Sequence, residues 1–141
     1  MKASFRVIAL LACFTTPHLA TAALPQTASP EGARVYIISP TDGEVVSSPV
    51  TVKFGLNGMG VAPAGADFAN TGHHHLLIDG DSLPAGGMPM GQSVKHFGGG
   101  QTEVTIELEP GPHTIQLILG DKNHVQHVPP VISEKVTITV K

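Results

Sequence analysis

The chain is poor in the residues on which most catalytic and nucleic-acid-binding proteins depend. Its one cysteine, Cys13, falls inside a stretch with the form of a secretory signal. Lys2 and Arg6 make the charged start, Val7 to Phe14 the short apolar run, and Ala20-Thr21-Ala22 the small-residue cleavage site. Removing residues 1–22 leaves a chain without thiols, which excludes disulfides, cysteine nucleophiles and thiolate metal sites. Lys and Arg total 8 against 11 Asp and Glu, and two of the bases leave with the signal. Phosphate backbones bind clustered Lys and Arg, so nucleic acid is not an expected partner. No apolar run approaches the roughly 20 residues of a membrane-spanning helix. The nucleophile elbow Gly-x-Ser-x-Gly, a phosphate loop and His-Glu-x-x-His are all missing, and no enzyme activity is expected. The segment Leu10-Leu11-Ala12-Cys13 resembles a lipoprotein acylation box. The short stretch before Cys13 and the good Ala-x-Ala site favour a soluble protein exported to the periplasm, and a monomer is expected.

What remains is β-type. Residues 23–33 are rich in Pro, Ala, Ser and Thr and read as a flexible lead-in. From residue 34 to 141 the chain reads as one domain of short strands: Arg34 to Ile38, Val50 to Leu56, the run after Gly72, Thr102 to Leu108, His113 to Leu119 and Val131 to Val140. Several alternate apolar and polar residues with period two, as half-buried strands do. Turns such as Ser39-Pro40-Thr41-Asp42-Gly43 separate them, and no segment carries a helical apolar stripe. The expected fold is an all-β, immunoglobulin-like sandwich of about seven strands, without the Cys and Trp landmarks of antibody domains. Two long Gly-rich loops, 57–72 and 80–100, stand out as candidates for function.

Histidine is the abundant chemical resource. His73-His74-His75 opens an apolar run, and further soft or borderline metal donors follow at Met88, Met90, His96, His124 and His127. Imidazole is the side chain most often used to hold a transition metal near neutral pH. On a strand, His73 and His75 share a face, with Cα atoms about 7 Å apart, and form a natural chelating pair. His74 belongs to the candidate ligand set by position, but it shares its face with Leu76 and Ile78 and reads first as a core histidine bonded to a backbone carbonyl. The Met88-Pro89-Met90 pair, near His96, is a plausible soft site for Cu(I) or, equally, loop packing. His124 and His127, three residues apart, can turn both rings to one side of a tight loop. One or both are expected to meet His73 and His75 at one end of the sandwich. His113, following Glu109-Pro110-Gly111-Pro112 and sharing a face with Ile115, Leu117 and Leu119, reads as a core or corner residue donating to a carbonyl. Asp67, Asp79, Asp81 and Asp121 can supply a carboxylate to a metal or orient a histidine from behind.

From Arg34 to Lys141, the segments Ser39-Pro40 through Gly43, Val52-Lys53-Phe54-Gly55, Gly58-Met59-Gly60-Val61-Ala62-Pro63-Ala64-Gly65, Asn70-Thr71-Gly72-His73-His74-His75-Leu76-Leu77-Ile78-Asp79, Pro112-His113-Thr114, Asp121-Lys122-Asn123-His124 and His127 with Pro129-Pro130-Val131-Ile132-Ser133 resemble an uncharacterised family of small secreted bacterial proteins, classed as a domain of unknown function. The resemblance spans nearly the whole chain after the signal and implies an exported β-rich domain with no assigned activity. The residues themselves point to a carrier, buffer or sensor of one transition-metal ion, copper first and zinc second. The alternative is an immunoglobulin-like module that docks a periplasmic protein or cell-wall partner through its long loops.

Overall fold

Alternating sequences need two layers to bury their apolar faces, and in the computed structural model, which describes residues 22–141, they form two β-sheets. No helix occurs among the described residues. The expected signal, apart from its last residue, and Cys13 lie outside them. The strands are β1 (Arg34–Ser39), β2 (Val45–Val46), β3 (Val50–Asn57), β4 (Gly60–Val61), β5 (Thr71–Ile78), β6 (Lys95–His96), β7 (Glu103–Ile106), β8 (Gly111–Gly120) and β9 (Val136–Val140). The count exceeds seven because β2, β4 and β6 are two-residue strands on the sheet margins, too short to leave a period-two signature. The first sheet has the order β1-β3-β7. The second runs β2-β9-β8-β5-β4, with β6 also paired to β5. All pairings are antiparallel except β2 with β9 and β4 with β5.

The main core lies between the sheets. Val35, Val52 and Phe54 from the first sheet face Leu76, Ile115, Leu117, Leu119 and Ile138 from the second. A smaller cluster of Leu77, Met90, Val94 and Ile118 forms on the outer face of the second sheet. The loop between β5 and β6 therefore lies over that face as a cover. This is why Gly72 through Leu77 are all buried: one side of β5 faces the core and the other faces the cover. Asn70 and Asp79 bracket the strand in left-handed backbone, at φ 54° and 53°, which these residue types tolerate better than most.

Residues 23–33, expected as a flexible lead-in, run along the domain as a pinned strap. Ala28 bridges Val128, Leu24 N donates to Gly87 O, Ser29 N to Val128 O, and Thr27 Oγ1 to Asp121 Oδ2 at 2.8 Å. Composition registers the Pro and Ala of this segment but not its backbone partners a hundred residues away. Likewise β9 begins only at Val136. The preceding residues are held irregularly, with the Ser133 hydroxyl accepting from Leu117 N and donating to Glu134 O.

Candidate metal centre

β5 sets the site. Its register with β8 runs unbroken from His73↔Gly120 to Ile78↔Ile115, so His73 and His75 are presented together on the outer face while His74 turns into the core. β6 pairs on the other side of β5, with His96 directly opposite His75, and cross-strand partners share a face. The fourth imidazole arrives from the turn that follows β8. One nitrogen from each of His73, His75, His96 and His124 lies within 4.8 Å of the other three. Ring centroids are 4.7 Å apart for His73 and His75, 5.2 Å for His75 and His96, and 4.5 Å for His96 and His124.

The turn carrying His124 is built around one buried carboxylate. Asp121 Oδ1 accepts from the backbone N–H groups of Asn123 and Val125, and its Oδ2 accepts from Thr27. Backbone bonds between Asp121 and Val125 and from His124 to Asp121 close the turn and hold His124 in left-handed backbone at φ 63°. His124 O in turn accepts from Met90 N, tying the turn to the cover. Asp121 touches no metal donor directly. It positions His124 and supplies negative charge behind His73.

Glycine makes room for the rings. A Cβ on Gly120 would lie 2.6 Å from His75 Cε1 and 2.7 Å from Met90 Cε, and one on Gly98 would lie 2.3 Å from His96 Cε1. Both imidazoles pack over bare backbone, and Met90 meets His75 above Gly120.

Three of the rings are biased towards the neutral form, the one able to coordinate a metal. Burial, then the neighbouring His124 and His96, lowers His73 to about 4. Burial, then His73, His96 and His124, lowers His75 to about 3, and burial and His124 also lower His96. Neutral imidazole is the coordinating species. His73 Nε2 and His124 Nδ1 lie within hydrogen-bonding distance at 3.1 Å. His75 is different. Both of its ring nitrogens are buried without a hydrogen-bond partner among the described residues. The His73 carbonyl exerts a weak upward pull on it, without the alignment of a bond. Each such orphaned group costs about 1–3 kcal/mol, and a cation bound at one of the two nitrogens would relieve that nitrogen's share of the cost. Nitrogens about 2 Å from a common ion lie roughly 3–4 Å from one another, so the arrangement fits an ion with small side-chain adjustment.

Not every candidate reaches the site. His74 packs on Phe54 at 5.1 Å between centroids and is bonded through Nδ1 to Gln101 O, the core role its face indicates. His127 belongs to the other side of β5, where it is fully buried against Gly72 with Nδ1 3.4 Å from Leu119 O. Its expected convergence with His73 is therefore corrected: after the tight turn, Gln126 bridges back to Gly120, and the chain returns along the core side. Met88 is half-buried in the cover, whereas Met90 is buried against the site's edge. His113 sits apart from the cluster, with Nδ1 2.7 Å from Asp79 and Nε2 2.8 Å from Glu109 O; the Asp79 contact, then the carbonyl, raises its pKa. Asp67 pairs with Lys122. Sequence reasoning missed Gly98 and Gly120; it named Asp121 only as one of four acids able to orient a histidine, and the Asp-x-x-His spacing of Asp121 and His124 was the signal that could have singled it out.

Residues 52–141 match the sequence model of a family described as "Domain of unknown function (DUF4399)". The chain belongs to this family. Within the matched span lie β5, the covering loop and the His124 turn, and hence all four converging histidines. No curated protein and no solved structure matches the chain. The membership assigns no activity, so the chemical reading rests on the four imidazoles.

Proposed function

We propose that this protein is an exported, periplasmic binding protein for one transition-metal ion, copper first and zinc second, acting as carrier, buffer or sensor and not as an enzyme. The observation that carries the reading is the convergence of His73, His75, His96 and His124 with His75 buried and unpartnered. Such a cluster is costly to keep without a ligand. Imidazole suits both copper and zinc, and copper stands above zinc in the Irving–Williams order. Export rests on the expected signal over residues 1–22, and a monomer remains the simplest assembly.

Calorimetric and competition titration of the apo protein at neutral pH with Cu(II), Cu(I) and Zn(II) tests the reading. One ion per chain, with imidazole nitrogen hyperfine lines in the Cu(II) resonance spectrum, is expected. Failure of every ion to bind more tightly than about 10 μM, a free energy near 7 kcal/mol, would refute it.

A further inference from the structure

The four ligands are unequally held. His73 and His75 are each 1% exposed and sit mid-strand on β5, which is paired with β8 over six consecutive residues. His124 is half-buried and fixed by the Asp121 turn. His96 alone is exposed. It belongs to a two-residue strand joined to β5 by only the pairs His75↔His96 and Leu76↔Lys95, followed by the bond from Phe97 N to His74 O. Its ring lies over Gly98, where nothing but the absent Cβ lets it rest. Gly98-Gly99-Gly100 then continues the chain, tied by Ala64 N to Gly98 O, Gly99 N to Gln101 Oε1 and Gly100 N to Phe97 O, so the part free to move is the exposed His96 ring.

We propose that His96 is the labile ligand of this centre, so that an ion enters and leaves on the His96 side, where a nitrogen or sulfur donor from a second metal-binding protein takes the place of His96. This rests on the metal-binding reading and adds a route to it. His73, His75 and His124 keep the ion while His96 swings away over Gly98, and the incoming donor attacks the opened position before the remaining bonds break. Metal passes from donor set to donor set without being released to water. Handover is then gated by the opening of His96, because an acceptor can react only with the fraction of molecules already open.

Stopped-flow transfer of Zn(II) from the loaded protein to the chromophoric chelator pyridylazoresorcinol tests this. In the parent the rate rises with chelator and then levels off at the opening rate of His96. His96→Ala removes the gate, and Gly98→Ala keeps the ligand but pushes its ring off the site. Both are expected to bind zinc about 10–100-fold more weakly and to transfer it at least tenfold faster, with no plateau over the same chelator range. His75→Ala is expected to lose tight binding altogether. A parent-like plateau in both His96→Ala and Gly98→Ala, or loss of binding in His96→Ala as complete as in His75→Ala, overturns the proposal while leaving metal binding intact. Absence of zinc and copper binding in the parent overturns both.

Discussion

Replacing His75 by leucine is expected to make the metal-free protein more stable. The imidazole carries one donor and one acceptor when neutral, and both are buried with no partner among the described residues. Around it lie Met90 and Gly120, Ile118 across the strand pair and the faces and edges of His73, His96 and His124, a setting in which a side chain of similar size fits and no partner for its nitrogens is lost. Removing two orphaned groups worth about 1–3 kcal/mol each, less an allowance for imperfect repacking, gives a net gain of about 1–3 kcal/mol. For a domain of this size that is a rise of several degrees in Tm. The assay is urea unfolding at pH 7.5 in the presence of a chelator, repeated with zinc in excess. With ion at a thousand times its Kd the parent gains about 4.1 kcal/mol by linkage, while His75→Leu gains far less, so the order of stability inverts between the two conditions. A variant less stable than the parent in chelator, by 1 kcal/mol or more, would show that His75 is a satisfied structural residue and would refute the reasoning.

Acid should weaken the apo protein through the same cluster. His73 and His75 fold with values near 4 and 3 against an ordinary 6.5, so their contribution is complete above pH 6.5. It falls by up to about 1.4 kcal/mol per unit for each ring as the pH drops towards the folded values. His113, raised by Asp79, acts in the opposite sense over its own range. Urea titrations at pH 7, 6 and 5 should show the decline, reduced in His75→Leu; a flat profile would contradict it. Gly120→Ala forces a Cβ into His75 and Met90 and is expected to cost about 1–3 kcal/mol and to weaken metal binding at least tenfold, read by thermal unfolding and by competition titration. His127→Ala, on the core side of β5, should destabilise the fold yet leave affinity within about twofold of the parent; a large affinity loss would return His127 to the ligand set.

The two-sheet architecture was legible because its long strands alternate, and the His73 and His75 pair because β-geometry places residues two apart on one side. The lone core role of His74 followed from the same rule. His96 could be named only as a soft-site neighbour, since a two-residue strand leaves no periodic trace and its pairing with His75 is a tertiary fact. Choosing between His124 and His127 was beyond spacing arguments: the decision lies in a left-handed residue and in Asp121, whose carboxylate closes the turn so that the chain doubles back between the two. The strap over residues 23–33 was hidden for a related reason, because its partners, the backbone of Gly87 and Val128 and the Asp121 carboxylate, lie in distant loops that composition does not record.

β5 leaves no margin for changes in length. Deleting or inserting one residue between Thr71 and Ile78 would turn the strand over, sending His74 outwards and driving His73 and His75 towards Phe54. A two-residue change would restore the facing but displace the pair by about 7 Å along the strand, out of reach of His96 and His124. Length variation tolerated by this fold should therefore be confined to the flanking loops. Under the proposed metal-binding reading, capture of an ion would also report correct strand pairing: a chain that has zipped β5 against β8 one step out of place can be dense and sheet-rich and would still fail to bind.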